Sequence, residues 1–221
     1  KREFLENKNR AGHRTGSSRQ MKSTSTLTER AKKRALRIQQ SLDSPYNTIL
    51  PFLFLGSDPR KHAKSKNVNV ASYLASHKFT HRVDLTSHPI DSPKLPTFFL
   101  TVHDEPSSTS TLFNQLDAAC DFIDAARKEE SNTRILIHCK AGVSRSATLV
   151  LYYLLTRANM NLNLAQALEV VRVARPIVSP NHGFMRALCS VERKMNLPAS
   201  IDPDMYEQHR FGNKAHYLVM V

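Results

Sequence analysis

The stretch from Arg134 to Leu155 constrains the fold more than any other. Ile135-Leu136-Ile137 is a short apolar run rich in β-branched residues, of the kind buried on both faces of a sheet. Ala147 to Leu155, interrupted only by Thr148, is apolar almost all round and predicts a helix in the domain centre. A central strand leading into a buried helix predicts an α/β domain.

The flanking pattern agrees. Ile49-Leu50-Pro51-Phe52-Leu53-Phe54-Leu55-Gly56 reads as two short strands turned at Pro51 and ended by Gly56, and Arg82 to Leu85 and Thr97 to Val102 are further strand candidates. Leu112, Leu116, Ala119, Ile123 and Ala126 form one continuous helical stripe. Leu164, Leu168 and Val171 make another, stopped before Pro176, and Phe184, Leu188, Val191 and Met195 a last one before Pro198. The pattern then fades, and Tyr217 to Val221 reads as a docked strand, a recognition peptide or a loose tail.

A length of 221 residues, 40% of them apolar, suits one globular domain with tails. The expected organisation is a disordered basic arm over 1–44, a folded domain over 45–196 and a C-terminal tail over 197–221. The net charge of +13 invites a nucleic-acid reading until it is divided: residues 1–40 hold 12 basic against 3 acidic residues, so +9 of it sits in the arm. Nucleic acid is therefore not expected as the primary partner. Within the arm, the stretch from Glu29 to Gln40 could form a short helix against an anionic partner. No apolar run approaches the roughly 20 residues that span a bilayer. Cys120, Cys139 and Cys189 are widely spaced and lack a CxxC pair, which fits a reducing cell interior, cytoplasmic or nuclear. The chain begins with Lys1 rather than Met and is read as a possible fragment, with nothing like a signal peptide at its start.

Chemistry concentrates in His138-Cys139-Lys140-Ala141-Gly142-Val143-Ser144-Arg145-Ser146, between the central strand and the buried helix. A loop entering a helix presents unpaired N–H groups and the positive end of the dipole, an anion site. Gly142 permits close backbone approach and an unusual φ, and the planar fork of Arg145 grips two oxygens of a phosphate. The same field favours thiolate at Cys139.

The segment H-C-x-x-G-x-x-R-S resembles the signature loop of the cysteine-dependent protein tyrosine phosphatase superfamily, and HCKAGVSRSAT resembles its dual-specificity branch, in the atypical, small single-domain form. Ile49 to Gly56 is similar to that branch's opening I-x-P-x-L-[YF]-L-G, and Arg175-Pro176-Ile177-Val178-Ser179-Pro180-Asn181-His182-Gly183-Phe184 to its R-P-x-x-x-P-N-x-G-F. The resemblance implies a small phosphatase domain with a central, mostly parallel, twisted five-stranded sheet flanked by helices. It implies a phosphocysteine mechanism on phosphotyrosine and phosphoserine or phosphothreonine of a phosphorylated protein, with no cofactor and no metal. Cys139 is then the nucleophile. Arg145 and the N–H groups from Lys140, Ala141, Gly142, Val143, Ser144 and Arg145 hold the phosphate, Ser146 helps the thiolate leave, with a helix N-cap as a second role compatible with the first, and His138 orients the loop. The family takes its general acid from a loop upstream of the cysteine, which points to Asp104, 35 residues before Cys139, with Glu105 and Asp91 as competitors. Asn181 resembles a residue that supports the loop or positions water, a purely structural turn being the alternative.

Other readings remain beside this one. A non-catalytic phosphopeptide-binding scaffold of the same fold would keep the loop, and a phosphoinositide or RNA 5′-phosphatase would use it with the basic arm. Lys140 adds a cation at the rim and favours a substrate with extra negative charge, while Val143 stands where the lipid-directed pattern has a second Lys. Lys32, Lys33, Arg34, Leu36 and Ile38 resemble a docking peptide for mitogen-activated protein kinases; nuclear import or an anionic membrane explains the same charges. His77 and His81 have a metal-ligand spacing but no companions, and read as surface histidines. Cys120 and Cys189 read as core cysteines.

Overall fold

A computed structural model of the chain describes residues 29–209, apart from positions 30, 34, 42, 89, 91–94 and 130. Asp91, Arg34, most of the basic arm and the Tyr217–Val221 end thus lie outside the described residues. Residues 1–37 and 38–221 form separate units. In the first, the described residues 29, 31–33 and 35–37 have helical backbone.

In the second unit, β1 (Tyr46–Leu50) and β2 (Leu53–Gly56) form an antiparallel hairpin turned at Pro51 and Phe52, because proline has no N–H to give a ladder. β3 (His81–Asp84), β4 (Thr97–Phe99) and β5 (Ile135–His138) complete a five-stranded sheet of order β1-β2-β5-β3-β4, parallel except for β1. The apolar run 135–137 lies in the middle, as its composition requires. Side chains alternate across it: Leu53, Leu55, Ile135, Ile137 and Val83 enter the larger core, while Phe54 and Leu136 enter a smaller one with Ala63, Tyr73, Leu74 and Phe79.

Two short helices, α1 (Pro59–Ser65) and α2 (Val70–Ser76), cover the smaller core; Asp58 and Asn69 cap them by accepting from the Arg60 and Ser72 N–H groups. The larger core is closed by α3 (Thr109–Phe113), α4 (Leu116–Glu129), α5 (Arg145–Thr156), α6 (Leu164–Ala174), α7 (His182–Lys194) and α8 (Pro203–His209). α5 is the buried central helix.

Four details differ from the sequence reading. The stripe from Leu112 to Ala126 runs through two helices, not one: the backbone turns at Asn114 and Gln115, yet Leu112 and Leu116 both stay buried because the break is a single turn. On α7 the buried face is Phe184, Met185, Leu188, Cys189 and Glu192, whereas Met195 is 40% exposed past the helix end. Glu192 belongs to that face because its carboxylate accepts from Leu164 N (2.7 Å), Ser200 Oγ (2.6 Å) and Ser200 N (3.1 Å), which satisfies it away from water. α8, in the region where the pattern faded, buries Tyr206 and starts from Asp202, whose side chain accepts from Asp204 N and Met205 N. His81 is buried in β3 against Phe122 and His77 packs on Tyr73, so the two are not the surface pair expected.

Among the described residues no helix is long and apolar enough to cross a membrane.

Candidate active site

Strand register aligns Gly56, His138 and Asp84 in one row across β2, β5 and β3, with Phe99 beside Asp84 on β4. The segments leaving these carboxyl ends meet over the middle of the sheet, where parallel α/β folds place their ligands. The segment after β5 is the loop from Cys139 to Ser144, which feeds the N-terminus of α5.

Four successive carbonyls of this loop accept hydrogen bonds from outside it. Asp58 N reaches Lys140 O at 3.3 Å, Arg175 Nη2 reaches Ala141 O at 3.1 Å, Arg175 Nε reaches Gly142 O at 2.9 Å, and Ser179 N reaches Val143 O at 2.9 Å. In a trans peptide the N–H points opposite the C=O, so the amides of residues 141 to 144 turn to the inner side of the loop. Gly142 N accordingly approaches Cys139 Sγ at 3.3 Å. Gly142 has φ +67°, and a Cβ there would stand 2.4 Å from Gly56 O, so glycine is required both for the conformation and for the contact.

Cys139 is 1% exposed and its sulfur also accepts from Ser146 Oγ at 3.1 Å. Burial alone would push this thiol up. The Arg145 guanidinium, the Ser146 hydroxyl and the N–H groups of Ser146 and Ala141 outweigh it, and hold the thiol below its ordinary range. Burial drives Cys120 and Cys189 the other way, each to about 12, so they are inert core thiols at neutral pH. Arg145 opens α5, with Nη1 fixed on Leu85 O (3.1 Å) and Val102 O (3.0 Å); its Nε is buried with no hydrogen-bond partner among the described residues.

Arg175 is a second buried cation, behind the loop, and its Nη1 also donates to Asn47 Oδ1 at 2.7 Å and, more weakly, to Ser41 O and Ser44 O. Burial lowers it to about 10, opposed by the Cys139 charge, so it stays cationic at neutral pH. Arg175 stands within the family-like motif, but nothing in the sequence says that its guanidinium lies behind a loop 33 residues earlier.

Asp104 lies on the exposed segment after β4 and is joined to the loop. Its Oδ1 accepts from Ser144 Oγ at 2.6 Å and from Asn181 Nδ2 at 3.0 Å. Asn181 does two things at once, since it also caps α7 by accepting from Phe184 N at 3.0 Å. Glu105 instead heads the short 3-10 turn Pro106–Ser108 and accepts from Ser107 Oγ. Lys140 is exposed at the rim. Ser146 is not the N-cap that was its second expected role: Ser144 occupies that position, and the Ser146 hydroxyl is turned to the sulfur.

His138, fully buried at the end of β5, makes no hydrogen bond to the loop among the described residues. Its Nε2 lies 3.7 Å from Asp84 Oδ2. Burial lowers its pKa to about 4 despite that carboxylate, so it is neutral at pH 7 and the contact is not an ion pair. Asp84 keeps its charge with donors of its own, Thr86 N (3.0 Å), Thr86 Oγ1 (2.7 Å) and Ile90 N (3.0 Å).

Sheet and loop together define a class of protein that sets a buried cysteine of lowered pKa, ringed by inward-turned amides, at the carboxyl edge of a mostly parallel sheet. Residues 53–194 match the family described as dual specificity phosphatase, catalytic domain. The chain is 32% identical over 155 residues to dual specificity protein phosphatase 5 of Rattus norvegicus, covering 70% of this chain but only 37% of that relative, so it spans little more than a third of its length. Against dual specificity protein phosphatase 1 of Arabidopsis thaliana it is 36% identical over 146 residues, which cover 66% of this chain and 68% of the relative. The crystal structure of human DUSP28 superposes with a TM-score of 0.56 at 28% identity, over 69% of this chain and 96% of that one. The chain belongs to the dual specificity phosphatases, a branch of the cysteine-dependent protein tyrosine phosphatase superfamily.

Proposed function

We propose that the chain is an active protein phosphatase that hydrolyses phosphotyrosine and phosphoserine or phosphothreonine through a phosphocysteine. The observation that carries this reading is the set of four outward-held carbonyls around a buried, acidified thiol. Amides fixed in that way need no reorganisation when charge arrives, which is where electrostatic catalysis gains most. Cys139 thiolate attacks phosphorus, forming the S–P bond as the bond to the leaving oxygen breaks. The amides of the Lys140–Arg145 loop hold the phosphoryl oxygens together with Arg145, whose unpaired Nε is satisfied by one of them. Asp104 gives its proton to the leaving oxygen, then takes one from the water that attacks the phosphocysteine. Ser146 donates to the sulfur as it departs again as thiolate. Asn181 supports the acid, and His138 closes the floor beneath the loop.

The working unit extends beyond the expected 45–196 to α8, whose Tyr206 is in the larger core, and to Ser41 and Ser44, which accept from Arg175; the family match falls within it. Docking of mitogen-activated protein kinases through Lys32, Lys33, Arg34, Leu36 and Ile38 belongs to the same proposal. It is supported by the exposure of Lys32, Lys33 and Leu36, the last 58% accessible.

Cys139→Ser should abolish release of phosphate from aryl phosphates and from phosphopeptides, while the loop still binds inorganic tungstate by calorimetry. Turnover equal to wild type in this variant overturns the proposal; tungstate binding by a wild type that releases no phosphate from any substrate makes the chain a binding scaffold.

A further inference from the structure

Ser144 stands at the N-cap of α5, where a serine hydroxyl ordinarily bonds the helix's own first amides. Here it makes no such bond, at φ −120° and ψ −76°. Its hydroxyl instead sits between two elements far apart in sequence, accepting from Asn181 N at 2.9 Å and lying 2.6 Å from Asp104 Oδ1. The direction of each bond is settled by the donors. An N–H can only donate, so Asn181 N occupies a lone pair of Ser144 and leaves the hydroxyl proton for Asp104. Asn181 Oδ1 accepts from Phe184 N, so the amide's other end, Nδ2, faces Asp104 as a donor, at 3.0 Å.

We infer that Ser144 is a positioning residue that aims the acid: with Asn181 it places two donors on Oδ1 of Asp104, so that the transferable proton is carried on Oδ2. An oxygen that accepts two hydrogen bonds is the carbonyl oxygen of the protonated acid, and the hydroxyl is then the other one. During the first step the proton passes from Oδ2 to the leaving oxygen while the P–O bond breaks and the S–P bond forms. The carboxylate left behind keeps both donors on Oδ1 and receives the water's proton on Oδ2. Ser144 thus serves the phosphate through its main chain and the acid through its side chain.

This inference rests on the reading of Asp104 as the general acid, and the experiment separates the two. Turnover is compared on phenyl phosphate, whose leaving group needs a proton, and on 2,4-dinitrophenyl phosphate, whose leaving group does not. Ser144→Ala should lower kcat/KM on the first about tenfold more than on the second, the worth of one hydrogen bond. In an Asp104→Asn background the same substitution should no longer change the ratio of the two rates. Asn181→Asp still caps α7 but presents an acceptor to Asp104, and should reproduce the selective loss should Ser144→Ala fail to fold. Equal losses on both substrates, or a selective loss that persists in Asp104→Asn, would show a merely structural role and overturn the inference. If Asp104→Asn alone leaves the ratio unchanged, the acid assignment fails first and the inference with it.

Discussion

Cys139 and Asp104 are held by different kinds of structure. The thiol is buried in a loop tied down through its main chain, with Arg175, Ser179 and Asp58 bonding consecutive carbonyls. Asp104 is on an exposed segment, joined to the loop through the side chains of Ser144 and Asn181. The Arg145 guanidinium, the Ser146 hydroxyl and the N–H groups of Ser146 and Ala141 lower the Cys139 thiol together, so its acidity belongs to the loop and the start of α5 as a whole. Placement by two side-chain bonds is a property of two residues, and is lost or gained one substitution at a time. Defects on the thiol side should therefore reach every substrate, and defects on the acid side only those with poor leaving groups.

The hardest test of this division is Arg145→Lys. Lysine carries the charge but has neither a guanidinium anchored through Nη1 on Leu85 O and Val102 O nor the Nε donor, and kcat/KM should fall about 10³-fold on phenyl and dinitrophenyl phosphate alike. A loss confined to phenyl phosphate would erase the distinction between the two sides. Next comes Arg175→Met, which strips Ala141 O, Gly142 O and Asn47 Oδ1 of their donor. Urea midpoints should show a loss of about 2–4 kcal/mol; a loss near zero would mean that the loop keeps its shape without a brace.

The last test concerns the floor of the site, where only a slope against pH is expected to change. His138 binds its proton at about 4 when folded and at 6.5 when unfolded, so between those values the unfolded chain holds more protons and stability falls as pH falls. That difference is worth about 3 kcal/mol at most, lost progressively between pH 6.5 and 4; Asp84, also lowered, acts in the same sense at lower pH, below its ordinary value of 3.8. His138→Gln should flatten the slope of stability against pH in that window, measured by urea denaturation. An unchanged slope would place the acid sensitivity elsewhere.

Local patterns were legible in the sequence where one element decides its own fate. The run 135–137 could only be an inner strand, and Ala147 to Leu155 only an inner helix. α8 was missed although Asp202-Pro203 is a helix start that could have been read, a capping residue followed by proline in the first turn. The phase of α7 was not readable from apolar residues alone, because a carboxylate, Glu192, holds a place on its buried face. At the site, the spacing and charge of the loop indicated an ionised cysteine, and resemblance to a family supplied Asp104. The bonds that unite them were out of reach: Ser144 and Asp104 lie 40 positions apart and Asn181 and Asp104 lie 77 apart, and only the closed chain brings them together.

Arg175 also says where the molecule can be cut. Of the five acceptors around its guanidinium among the described residues, Gly142 O and Ala141 O belong to the loop, while Ser41 O, Ser44 O and Asn47 Oδ1 come from the chain ahead of the family match, which begins at residue 53. The border drawn by kinship and the border drawn by mechanical support are thus different lines. A polypeptide trimmed to the first would hold Cys139, Arg145 and Asp104 and lack part of the scaffolding that keeps the loop in order.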